Sequence, residues 1–256
     1  MPHNLFVIAY YTLLEAVRNR LLYVVLLIIA IALAFTIFLK QVAITETRDI
    51  QLAFLAASFR LAAVFVVAAF VIVSQVREAN DKVMEILLTR NLPRAHYLFG
   101  KLSGYLGVAL MLSVLFTLPV ALFADKTSAL LWGLSLVLEL AIVAALSLFC
   151  VLTLNQVLSS LAAVLGTYAL SRSMAALQLI GTSRVSDGNL LLDRVGSAVL
   201  DGIAFFLPRL DLFTQTAWLL QRSEPAISFT SIFLQSTVFI VLLGVAALFD
   251  FKRKNF

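Results

Sequence analysis

The chain has 256 residues, of which 62% are hydrophobic and 13% charged, with a formal net charge of +5. A soluble domain carries about 25% charged residues, so this chain cannot cover a globular surface with polar groups and takes lipid as its solvent, with length for about six helical spans. The positive balance fits cations gathered on one side of membrane spans rather than nucleic-acid binding. The lone Cys150, inside an apolar run, excludes an internal disulfide and argues against a metal–thiolate cluster.

Residues 3–20 read as an amphipathic helix. Asn4, Tyr11, Glu15 and Arg18 share one face, and Phe6, Ala9, Leu13 and Ala16/Val17 share the opposite one. Such a helix suits the interface plane; the alternative is an extension of the first span. Six apolar runs follow: Leu21–Leu39, Gln51–Gln75, Leu102–Phe123, Leu130–Leu154, Val157–Ile180 and Phe229–Phe249. The first has no small-residue cleavage site after it and is expected to be a retained span. Six spans put both ends on one side. With that side cytoplasmic, ten Lys and Arg lie inside and seven outside, four of the seven within one long outer segment that weighs less in orientation.

That outer segment, 181–228, holds two apolar stretches. Ala198–Leu207 is too short to cross and is expected to lie at the surface or dip in and return. Leu210–Leu220 reads as a short helix with Trp218 as a headgroup-level anchor.

Between the second and third spans lies the most charged stretch of the chain, Arg77–Lys101, with Arg77, Lys82, Arg90, Arg94 and Lys101 beside Glu78, Asp81 and Glu85. Arg77–Asn91 is expected to form a helix outside the membrane, with Ala79, Val83, Ile86/Leu87 and Arg90 on one face. Glu78, Asp81, Lys82, Glu85 and Thr89 fall on another, and Glu78 is spaced to pair with Lys82. Pro93 marks the helix end. A two-faced helix between two spans can pass a push from a soluble partner into both. Charges serving only to set topology would explain the cations but not the acids or the apolar face.

Catalytic constellations are missing from the sequence. Gly100-Lys101 ends no phosphate-binding loop, because Ala95 and Leu102 stand where that motif needs Gly and Ser or Thr. The two histidines, His3 and His96, fall at the cytoplasmic edge, so no base is available beside an intramembrane serine. No catalytic residue, cofactor site or metal site is expected in this chain.

The run Glu85–Lys101 resembles the signature of type-2 ABC transporter permeases: an acid, a short Leu-rich stretch, Thr-Arg-Pro, an Arg, then Tyr and Gly-Lys opening the third span. Glu85, Leu87, Leu88, Thr89, Arg90, Arg94, Tyr97, Gly100 and Lys101 match it. Lys82-Val83 stands where the family usually has Gly-Thr, and Asn91 stands at its usual proline, with Pro93 two residues on. The runs Phe206–Phe213 and Phe249–Phe256 resemble the compact six-span permeases, including those of nitrous-oxide-reductase maturation and bacterial gliding.

The resemblance implies an all-α membrane protein forming a single permease domain, 1–256, with six transmembrane helices. It implies an N-terminal elbow helix at 3–20, a cytoplasmic coupling helix at 77–92 and short outer helices within 181–228. It further implies a cytoplasmic ABC ATPase dimer as partner, with ATP and Mg held in that partner, and a second permease chain, identical or sister. Glu78, Asp81, Lys82, Glu85, Arg90 and Arg94 would meet the ATPase. The implied place is the bacterial inner membrane, both termini cytoplasmic.

Three charges interrupt spans: Arg60, Glu139 and Arg172. Each lies about eight or nine residues from the outer end of its run, roughly 12–14 Å deep. Glu139 is therefore expected to pair with Arg60 or Arg172 and tie spans two, four and five together; the alternative is that each Arg snorkels outward alone. The spans carry few polar residues, so export of a hydrophobic or amphiphilic substrate fits better than a wide aqueous pore. Ser159, Ser160, Thr167, Ser171 and Ser173 could line a seam or serve helix packing. Mechanical work on an extracytoplasmic protein at 181–228, without cargo, remains open, as does a scaffold without an ATPase.

Overall fold

The computed structural model describes residues 2–42, 47–81, 93–183, 202, 207–220 and 229–253. Their regular structure is all helix, with no strand among the described residues. The helices are α1 (Pro2–Arg18), α2 (Leu21–Val42), α3 (Thr47–Asn80), α4 (Arg94–Phe123), α5 (Lys126–Leu154), α6 (Val157–Ser183), α7 (Thr216–Leu219) and α8 (Phe229–Arg253), with a 3-10 turn at Leu210–Leu212.

Local chemistry sets the boundaries. The Pro93 carbonyl opens α4 by accepting from the backbone N–H groups of His96 and Tyr97, at 2.8 and 3.3 Å. Ala124 and Asp125, both extended, make a two-residue turn between α4 and α5. Asn155 ends α5 in the left-handed region (φ 57°), which a short polar side chain tolerates, and its N–H closes on the Val151 carbonyl at 3.0 Å.

Among the described residues, five helices are long and apolar enough to cross a membrane: α2, α3, α4, α5 and α8. This is the architecture of a multi-pass membrane protein. α6 is also long enough, at 27 residues, but its Ser and Thr residues and Arg172 leave it less apolar than those five. α5 is the central helix, with 72% of its most apolar stretch buried against 22% for α2 and α8. It packs on α3, α4, α6, α7 and α8, and the side chains of α2 and α8 are left largely exposed.

Three sequence expectations change. Arg77–Asn80 does not begin a separate helix: it is the last turn of α3, which runs unbroken for 34 residues, with Asp81 in the turn that follows. The remainder of the expected coupling helix, 82–92, lies outside the described residues. In α1 the inward line is Thr12 and Ala16, both buried, with Ile8 half-buried, while Phe6, Tyr10 and Tyr11 of the helix are exposed. The reason is α4: its Gly100 and Gly104 let α1 approach so closely that a Cβ on Gly104 would lie 2.6 Å from the Thr12 Cβ and 3.1 Å from the Ala9 carbonyl oxygen.

The third change concerns Leu210–Leu220, which is not one helix on the surface. It is a 3-10 turn and a single turn of α-helix separated at Thr214, whose φ is 44°. Leu210, Phe213, Thr214, Trp218 and Leu219 are buried. The segment enters the bundle against α3, α5 and α6, and Trp218, expected as an anchor among headgroups, is packed into the core. Of the other expected stretch, Ala198–Leu207, all but Gly202 and Leu207 lies outside the described residues.

Candidate functional site

Two polar networks lie at different levels of the bundle, one at the C-terminal end of α3 and one near the middle of α5, and α3 belongs to both. The first surrounds Lys101, in the second turn of α4. Its side chain is 6% exposed, and its ammonium is paired with the Glu78 carboxylate from the last turn of α3, with the Glu15 carboxylate of α1 at 3.9 Å. Tyr97 donates to the other Glu78 oxygen at 2.7 Å and accepts from the Gln75 amide at 3.2 Å. Tyr105 donates to Gln75 at 3.1 Å, and Ser74 donates to Glu15 at 3.0 Å. One buried cation thus meets two carboxylates, and its neighbours use their hydroxyl and amide groups on one another. Such closure is what a buried ionic group requires.

The same end of the bundle receives the C-terminus of α8. Arg94 donates to the carbonyls of Phe251 and Lys252, at 3.3 and 3.1 Å, where the helix dipole favours a cation. The Tyr97 ring stacks on Phe251 at 5.8 Å. Both ends of the 82–92 segment are therefore fastened. Glu78 holds its entry to α1 and α4, and Arg94 and Tyr97 hold its exit to α8.

The residues expected to meet a partner divide accordingly. Glu78 and Arg94 use their polar groups within the bundle, Glu78 bonding Lys101 and Tyr97. Asp81 is exposed just beyond α3. Lys82, Glu85 and Arg90 lie outside the described residues. Of the motif residues in α4, Tyr97 and Lys101 form this network, and Gly100 is in contact with Ile8 of α1.

The second network gathers Arg60, Glu139 and Arg172, the three charges expected within spans. Arg60 is 13 residues into α3, Glu139 is 13 into α5, and Arg172 is 11 from the end of α6 (60 less 47, 139 less 126, 183 less 172). The depths correspond to roughly 17–20 Å of helix. Glu139 is fully buried and lies 3.9 Å from Arg172. It also accepts from Tyr168 at 2.8 Å and from the Thr214 hydroxyl.

The arginines do further work that the sequence did not suggest. Arg172 donates to the Leu210 carbonyl and, at 2.7 Å, to the Phe213 carbonyl, while Arg60 donates to the Thr214 carbonyl at 2.8 Å. Ser135 of α5 accepts the Thr214 N–H at 2.9 Å. Non-helical backbone at membrane depth is tolerated only where protein satisfies its polar groups. Here side chains from three helices take that role for residues 210–214. The three charges hold an inserted segment in place, and the left-handed Thr214 is the point they grip.

Ser135, Tyr168 and Thr214 were missed in the sequence, and carbonyl acceptors leave no residue signature. Glu15 was read only as part of a polar face. Among the described residues no group of His, Cys, Asp and Glu could hold a metal ion. The chain matches no protein-family model and no curated protein.

Proposed function

We propose that this chain is the permease subunit of an ABC transporter, moved by separate cytoplasmic ATPase subunits to export a hydrophobic or amphiphilic substrate. The observation that carries this reading is the fastening of both ends of the 82–92 segment. A push there loads Glu78 and Lys101, hence α1, α3 and α4, and through Arg94 it loads α8. The motif resemblance of Glu85–Lys101 supplies the identity of the pushing partner. The ATPase would dock on Asp81, Lys82, Glu85 and Arg90, while Glu78 and Arg94 act behind them as fastenings. In this reading the bundle sits in a bacterial inner membrane, with α6 as the sixth span and the α8 C-terminus cytoplasmic.

A second reading within the same frame is mechanical coupling to an extracytoplasmic partner without cargo. It is favoured by α3, which holds Glu78 in one network and Arg60 in the other. Their separation of 18 residues is about 27 Å of continuous helix, so displacement at Glu78 reaches the inserted 210–214 segment at Arg60.

The test is co-purification of the tagged full chain in mild detergent, with co-purified proteins identified by mass spectrometry. The expected result is a stoichiometric soluble ATPase, lost when Asp81, Lys82 and Glu85 are reversed in charge. A chain that purifies alone from several detergents overturns the reading.

A further inference from the structure

A groove of about 480 Å³ lies between α4 and α5, within the range of about 300–1,000 Å³ typical of small-molecule sites. Its floor includes Ser113, Thr117 and Gly133, which are buried or half-buried, and its rim includes the exposed Leu118 and Leu130. The floor exists because Gly133 admits Thr117, whose Oγ1 would lie 2.6 Å from a Cβ placed there. Both floor hydroxyls are already committed. Ser113 donates to the Gly133 carbonyl at 2.8 Å, and Thr117 donates to the Ser113 carbonyl at 2.7 Å. The groove therefore offers a ligand mostly hydrocarbon contact, with no uncommitted hydroxyl donor on its floor.

Its charge is at one end. Lys126, the first residue of α5, lines the mouth, and Arg48 donates to the Phe123 carbonyl at 3.1 Å beside the same turn. The acids of this end, Asp49 and Asp125, do not line the groove. From Lys126 to Val137, the deepest lining residue of α5, is 11 residues, or about 16 Å of helix. One leaflet of a bilayer's hydrocarbon core is about 15 Å deep. The groove thus runs from the interface to the bilayer midplane, closed to polar ligands and topped by a cation.

We infer that this groove is a binding site for one anionic phospholipid, an acyl chain lying between α4 and α5 and its phosphate at Lys126. The inference stands apart from the transport reading, since it needs only that the bundle lie in a membrane. A lysine near an anionic headgroup contributes enough to favour the charged lipid about five-fold.

The experiment purifies the full chain from bilayer discs containing equal phosphatidylglycerol and phosphatidylcholine, and counts retained lipids by native mass spectrometry. The expected result is one retained lipid per chain, phosphatidylglycerol over phosphatidylcholine by about five-fold. Lys126→Gln should abolish the preference while keeping a lipid. Leu134→Trp, on the exposed rim, should release lipids of both kinds. Both positions are at the surface, so folding should survive, and melting of each variant checks this. Equal retention of the two lipids by the unaltered chain, or retention indifferent to Leu134→Trp, overturns the proposal. So does efficient disulfide cross-linking of two copies through Leu130→Cys with no lipid retained, which would make the groove a seam between chains.

Discussion

Glu139→Ala removes the acceptor shared by Tyr168 and Thr214 and the carboxylate nearest Arg172. Each buried hydroxyl left without an acceptor costs about 1–3 kcal/mol, and breaking a buried ion pair costs about 3–5 kcal/mol. The two are not additive here, because Arg172 keeps its bonds to the Leu210 and Phe213 carbonyls and is 23% exposed. The net expectation is about 3–5 kcal/mol, or roughly 6–20 °C in melting temperature for a chain of this length. Glu139→Gln keeps the volume and one acceptor oxygen, and should lose only about 1–2 kcal/mol. Cys150 makes the assay simple: it is the chain's one cysteine and is buried, so a thiol-reactive dye reads unfolding directly. A double-mutant cycle with Arg172→Leu should return a coupling of about 0.5–3 kcal/mol. Glu139→Ala melting with the unaltered chain would refute the account of the Glu139 network.

Lys101→Met leaves Glu78 and Glu15 facing each other without their cation and should destabilise the chain by about 3–5 kcal/mol, read by the same dye. Gly104→Ala drives a methyl into Thr12 and the Ala9 carbonyl and should lose about 1–3 kcal/mol. Gly166→Ala meets nothing within 4 Å and should instead gain about 0.5–1 kcal/mol; equal melting temperatures for the two variants would deny close α1–α4 packing. Arg94→Gln detaches the end of α8, so trypsin should cut at Lys252 and Arg253 several-fold faster, while an unchanged rate would mean that Arg94 does not hold that helix end.

Apolar runs in the sequence placed the long helices well, because a stretch of about 20 apolar residues has few alternatives in a membrane. Charge was read less well. Arg77 and Glu78 looked like the start of a helix in water, yet α3 simply continues through them, because Glu78 finds Lys101 on the next helix. The depth agreement of Arg60, Glu139 and Arg172 pointed correctly to one node. The arginines, however, satisfy carbonyls of 210–214, and a backbone acceptor is invisible in a sequence. For the same reason an irregular, inserted segment read as a surface helix. One signal was present and unused: Gly100 and Gly104 are four apart, the spacing that lets two helices touch, and they place α1.

The central claim is that motion at the 82–92 segment reaches the inserted outer segment through α3. Spin labels at Asn80→Cys and Arg209→Cys, both exposed positions, in a Cys150→Ala background report the distance between the end of α3 and the inserted segment in the purified complex. The account predicts a resolved change in that distance when ATP is bound and hydrolysis is blocked, and its loss when Lys101→Met uncouples α3 from α4. An identical distance distribution with and without nucleotide, in a complex that hydrolyses ATP, would contradict it.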